Sequence, residues 1–285
     1  MNIEISEIAL HVLLQGCIYS LVVMGVYLSS RVIQFDDLTT EGSFGFGGAI
    51  AAVVILWGGP IWLALVLSLI GGAAAGSLTG ILHTKMKMNN LICGLIVTTA
   101  LFSVCLKLAG ANVSLHEKHS LLWIQDNLFI AGAFLLALAG IAYFGIRTLL
   151  RSEIGLILKA VGSNPQMAVS LGKSVDGYKI FGLSTANALT ALAGSLFVQW
   201  NGFFSITGNI GTLVIGLTGL ILGEMIKPSF GIGLLLGAII YQAIFAVVIE
   251  LELQPLWNNL IKAALIVVLI QLKPKINPLT VAIAR

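Results

Sequence analysis

Charge is scarce in this sequence. Only 9% of its 285 residues are Asp, Glu, Lys or Arg, against about a quarter in soluble domains, while 58% are hydrophobic and the mean hydropathy is +1.03. So little polar surface cannot cover a soluble globule, and the chain is expected in lipid. Cysteine is sparse too. Cys17, Cys93 and Cys105 stand in apolar stretches without paired spacing, which argues against a disulfide framework or a thiolate metal set and for small buried hydrophobes. His116 and His119, three apart, have no Cys or further His to complete a metal set, and His11 and His83 are isolated. No nucleophile with a positioned base is evident either, so neither enzyme activity nor a bound metal is expected. The net charge of +3 gives no support to nucleic-acid binding.

What the sequence has in abundance is long apolar runs. Segments 8–29, 61–82, 127–146, 180–199, 230–249 and 256–272 are each long enough to cross about 30 Å of hydrocarbon. Three more, 42–57, 91–108 and 210–223, are shorter or richer in glycine, so each is either a short span or a broken one buried among neighbours. The expected fold is an all-α polytopic transmembrane bundle of about nine spans, in a range of about 8 to 10. The first run follows Glu4 and Glu7, with no basic residue and no small-residue cleavage site, and is expected to be retained.

Basic residues report orientation, because cytoplasmic loops carry an excess of Lys and Arg. With nine crossings and the N-terminus outside, the cytoplasmic side receives Arg31, Lys85, Lys87, Arg147, Arg151, Lys159, Lys173, Lys179, Lys227, Lys273, Lys275 and Arg285. Lys107, Lys118 and Lys262 are the exceptions. The chain is therefore expected in the cell inner membrane, multi-pass, with a cytoplasmic C-terminus.

Two pairs of segments resemble each other: Ala73–Leu78 with Ala191–Leu196, and Asn90–Leu95 with Thr212–Leu217. Each copy would cross opposite to its partner, as an inverted repeat requires; chance similarity between Gly- and Ala-rich helices is the other reading. Gly72, Gly76 and Gly80 stand four apart and are expected to form a packing face; a glycine-lined groove is the alternative.

The longest cytoplasmic stretch runs from Arg147 to Lys179. Asn164 can cap a helix, Pro165 suits its first position, and Gly172 can supply the left-handed residue that ends it. Met167, Ala168 and Leu171 then share one face of a short helix, a small apolar ridge that meets either a partner, or the membrane surface or the protein's own loops. Gly172, Lys173 and Ser174 mimic the tail of a phosphate loop, but Met167 stands where its first glycine would be. For a solute pathway the sequence offers Thr39, Thr40, Ser43 and Phe44 with Ser184, Asn187 and Thr190, polar groups that equally serve ordinary interhelical bonding.

The run AVGSNPQMAVSLGKSVDGYKIFGLSTANALTALAGSL, with Phe35–Ala52 and the GLTGLILGE ending at Glu224, resembles permease subunits of the branched-chain amino acid and ribose ABC importer superfamily, nearest its tryptophan- and tyrosine-type branch. The resemblance spans about residues 12 to 275. It implies one permease domain over 1–285 with a coupling helix near 163–172, in which Asn164, Pro165, Gln166, Met167, Ala168, Leu171 and Gly172 contact a cytoplasmic ABC ATPase. It further implies a permease dimer, an extracytoplasmic substrate-binding protein and a small polar solute, an amino acid. ATP and Mg would be held by the ATPase, with no cofactor on this chain. The segment Ser205–Gly211 departs from that branch, where an acidic residue is common, and leaves the substrate open.

The rival reading is an ion-coupled secondary transporter, which commonly keeps carboxylates at mid-membrane depth. Here Asp36, Asp37, Glu41 and Glu224 are expected at the ends of spans, solvated or at helix termini. Lys262 lies inside the last span, where it either snorkels outward or pairs with Glu250 or Glu252.

Overall fold

The computed structural model describes residues 5–115, 128–226 and 230–250, and within the last predicted span residues 260, 263, 264, 267, 268 and 271. The rest of 256–272, with Lys262 and Glu252, and likewise Lys118, Lys227, Lys273, Lys275, Arg285, His116 and His119, lies outside the described residues; for Glu250 only the backbone is described.

Helices α1 (Ile5–Tyr27), α2 (Thr39–Leu56), α3 (Ile61–Lys85), α4 (Asn90–Ala109) and α5 (Leu128–Arg151) are followed by two short ones, α6 (Glu153–Ser163) and α7 (Pro165–Ser170). Then come α8 (Val175–Asn201), α9 (Thr212–Ile226) and α10 (Ile232–Glu250). A π-helix, Leu28–Val32, prolongs α1. Seven of the described segments are long and apolar enough to cross a bilayer, and α10 adds a shorter apolar one. This is the polytopic all-α bundle expected.

Two three-residue strands, β1 (Asn112–Ser114) and β2 (Phe203–Ser205), pair antiparallel and tie the chain after α4 to the chain after α8. Exposed Trp57 and Trp62 flank the α2–α3 turn, as aromatic residues do at a membrane interface. On the opposite side, Arg31 at the end of α1 grips Glu224 near the end of α9, and Lys179 near the start of α8 reaches His83 near the end of α3.

Buried α1, α2 and α8 form the centre. Glycine lets their backbones touch: a Cβ on Gly76 would lie against the Leu183 carbonyl, one on Gly72 against Ala191 and Asn187, and one on Gly80 against Ile180. The predicted glycine face is thus the α3–α8 contact. The same device joins α2 to α8, where Gly47 meets the Ala191 carbonyl and Gly194 the Phe44 carbonyl. By contrast α4, predicted as short or broken and buried, is an unbroken helix of 20 residues that turns most of its surface outward. Lipid is as apolar as its Leu and Ile side chains, so nothing drives them inward.

Candidate functional site

The segment between α5 and α8 contains more structure than its sequence suggests. At Ser152 the chain turns: its hydroxyl donates to the Leu149 carbonyl (2.6 Å) and accepts from the Gly155 N–H (3.5 Å), starting α6. Ile157, Leu158 and Val161 of α6 are buried. Sequence reading missed this helix, although Ile154, Ile157, Leu158 and Val161 follow the i, i+3, i+4, i+7 pattern behind a Ser cap.

Asn164 ends α6 and begins α7, its side chain accepting from the Met167 N–H at 3.2 Å. Pro165 takes the first helical position and Gly172 closes the segment at φ +70°. The composition of the ridge needs correction. Ala168 is fully buried, packed with Ile157, Val161, Val175 and Tyr178, while Met167, Val169 and Leu171 are exposed. A residue one step along a helix sits about 100° away, so Ala168 keys α7 to α6 and leaves Met167 and Leu171, four apart, as the ridge, with Val169 exposed on another side of the helix. Gln166 is exposed beside it.

From α7 the contacts run inward. Leu158 of α6 meets Gly182 of α8, where Ile33 also packs, and a Cβ on Gly162 would lie against the Val32 carbonyl. Just beyond, Gln34 at φ 55° turns the chain back toward α2. That helix begins deep in the bundle. Thr39 shares a 2.7 Å hydrogen bond with Thr79, six residues before the end of α3, and the Leu38 carbonyl accepts from Thr98, eight residues into α4. At 1.5 Å per residue, α2 starts about 9 to 12 Å inside the ends of these neighbours.

At that depth lies a buried polar network. Asn187 Nδ2 donates to Asp37 Oδ2 (2.6 Å) and to the Leu183 carbonyl (3.0 Å), and Ser43 donates to Asn187 Oδ1 (2.7 Å). Asp37 Oδ1 accepts from the Thr39 N–H at 2.9 Å. Of the two expected settings, solvated or at a helix terminus, exposed Asp36 takes the first, while Asp37, 4% exposed, takes the second at the start of α2. Its two oxygens serve the α2 start and α8, which is what makes its burial tolerable. Glu224 lies near the end of its helix, as expected, and there holds Arg31 through two bonds of 2.6 and 3.0 Å.

Of the predicted pathway residues, Thr39, Ser43 and Asn187 thus meet in one network. Thr40 is buried beside them. Phe44 stacks on Tyr19 at 6.0 Å and tilts against Phe197. Ser184 donates to the Ala73 carbonyl across to α3, and Thr190 to the Ala186 carbonyl of its own helix.

The link from β2 to α9 descends along α2. Phe204 lies against Gly48, Asn209 against Gly45, and the Gly211 N–H donates to Glu41 Oε1 at 3.2 Å. Helix α9 therefore starts level with the first turn of α2. Glu41, Gly45, Thr98 and Asn209 line a cleft of about 60 Å³ there. Asn209 is 7% exposed and its Nδ2 is without a hydrogen-bond partner. Sequence reading placed Glu41 at a span end and gave Asn209 no role, because the contact between Glu41 and Gly211 that brings them together joins residues 170 apart.

The comparisons with known proteins fit this architecture. The family described as "Branched-chain amino acid transport system / permease component" matches residues 8–270. The chain belongs to this permease family. It is 34% identical over 238 residues, 81% of its length and 79% of the relative's, to a tyrosine transport system permease protein of Clostridioides difficile (strain R20291). An uncharacterized protein of Rickettsia prowazekii (strain Madrid E) is 31% identical over 79% of this chain and 78% of its own. A nucleoside ABC transporter permease of Lactococcus lactis subsp. cremoris (strain MG1363) is 23% identical over 66% of this chain and 61% of its own. No solved structure matches. The protein is thus a multi-pass transport permease of the ABC type, and no enzyme.

Proposed function

We propose that this permease is the membrane-spanning subunit of an ATP-driven importer, working as a dimer with its N-terminus outside, and that α7 is its coupling helix. The observation that carries this reading is the exposed apolar pair Met167 and Leu171 on one face of a helix capped at both ends and keyed by Ala168. Such a rigid ridge suits the groove of a cytoplasmic ABC ATPase, which would hold the ATP and Mg; this chain would bind no cofactor. Closure of the ATPase would push α7 and α6 against Val32, Ile33 and Gly182, and so shift the start of α2 relative to α8.

The solute, delivered by an external binding protein, is an amino acid. The similarity to a tyrosine transport permease supports this. At the small cleft between α2 and α9, the Glu41 carboxylate and Asn209 Nδ2 offer an acceptor and a donor that an amino-acid zwitterion could touch as it passes, although about 60 Å³ is too little room to enclose one.

Uptake of labelled tyrosine, tryptophan, branched-chain amino acids and nucleosides by cells with and without this chain tests the reading. Chain-dependent uptake of one amino acid should stop when ATP is depleted and survive a protonophore applied with ATP maintained. Uptake that follows the ion gradient instead supports the secondary transporter.

A further inference from the structure

On the side of the molecule that carries α7, a cavity of about 560 Å³ opens between the end of α5, α6 and the start of α10. Three cations converge on it: Arg147, Arg151 and Lys159. Among the described residues no carboxylate pairs with any of them. Two are aimed by their own contacts. Arg147 donates to the Tyr143 hydroxyl at 3.0 Å, with its guanidinium 5.9 Å from the ring centre, and Lys159 donates to the Leu150 carbonyl at 3.2 Å. Like charges gathered without a counter-charge repel one another, and an anion seated among them removes that repulsion.

The rest of the wall says which anion. Phe230 stacks on Tyr143 (5.4 Å) and tilts against Tyr27 (5.3 Å), and Ile226 and Leu236 continue the lining. Aromatic and aliphatic surface below a cluster of Arg and Lys fits a molecule with a phosphate at one end and hydrocarbon at the other. Exposed Ile141 and Phe144 on α5 and Ile240 on α10 place the cavity at the edge of a surface that faces lipid tails.

We infer that this cavity binds the headgroup of an anionic phospholipid, with its phosphate between Arg147, Arg151 and Lys159 and its first acyl carbons along Phe230 and Leu236. The lipid neutralises the cluster and ties the end of α5 to the start of α10.

The test uses the purified full-length chain in mild detergent, with bound lipid counted by native mass spectrometry after addition of phosphatidylglycerol, phosphatidylcholine or inorganic phosphate. One phosphatidylglycerol should be retained at a concentration at least about tenfold below that needed for phosphatidylcholine, and inorganic phosphate should not displace it. Arg147→Gln/Arg151→Gln/Lys159→Gln should lose that preference, whereas Lys85→Gln/Lys87→Gln, which removes charge on the same side but away from the cavity, should keep it. If the triple variant does not fold, Arg151→Gln alone, an exposed side chain, should weaken retention about threefold. Equal retention of the two lipids, or an unchanged preference in the folded variants, overturns the proposal. Displacement by inorganic phosphate makes the ligand a soluble anion and overturns its lipid source.

Discussion

Helices α4 and α8 are both long enough to cross a bilayer, and α4 is the more apolar. Yet α4 turns Leu91, Ile92, Leu95, Ile96 and Phe102 outward, while α8 buries Asn187, Thr190, Ser195 and Gln199. A soluble protein would arrange them the other way. In lipid, burying another Leu gains little, so the centre belongs to helices that offer close backbone approach and hydrogen bonds. What α4 does bury is a narrow stripe, Cys93, Gly94, Val97 and Cys105, toward α2 and the link after β1.

The sharpest way to break this contrast is to add bulk on each side of it. Gly76→Leu drives a side chain into the Leu183 backbone and should cost about 3 kcal/mol or more, seen as loss of monodisperse protein in detergent chromatography. Gly145→Leu on α5, where an added Cβ would meet no neighbouring element within 4 Å, should leave that yield unchanged. Next in size is Asn187→Ala, which leaves Asp37 and Ser43 without their shared partner. It should lower stability to denaturation by about 3 kcal/mol. Thr99→Ala on α4 removes only a bond to the Leu95 carbonyl of its own helix and should change it by less than about 0.5 kcal/mol.

Ionic contacts extend the comparison at smaller scale. In the Arg31–Glu224 pair the side chains are 46% and 13% exposed, so Arg31→Gln should cost about 1 kcal/mol after solvent screening, and adding Glu224→Gln should recover most of it. At the exposed extreme, the hydrogen bond and charge of Glu153 hold the Lys173 ammonium above the usual lysine value. Any stability from this pair is present below the unfolded lysine pKa and is lost as pH rises through the higher folded one. Glu153→Gln should lower the Lys173 titration in an NMR experiment and leave the folded yield at neutral pH unchanged.

The spans were legible because lipid demands long apolar runs, and the caps of α7 were legible because Asn164, Pro165 and Gly172 act locally. Inside and outside were not legible, since Leu95 facing lipid and Leu183 facing a neighbour are the same residue type. Ala168 was misplaced because it is as apolar as Met167, and only its packing against Ile157 and Val161 decides its face. The polar network and the cleft join residues 150 and 170 apart, contacts that no local pattern encodes. Glycine spacing was the exception, since Gly72, Gly76 and Gly80 announced the α3–α8 contact without naming its partner.

The central claim, that α7 is the contact through which an ATPase drives this permease, is tested most directly by co-purification. Wild-type chain should bring down an ABC ATPase from its native membrane, and Met167→Asp/Leu171→Asp, which leaves buried Ala168 in place, should fold and insert normally but lose it. If the folded variant retains the ATPase, α7 is not the coupling contact; if the wild-type chain brings down none, the permease is not ATP-driven.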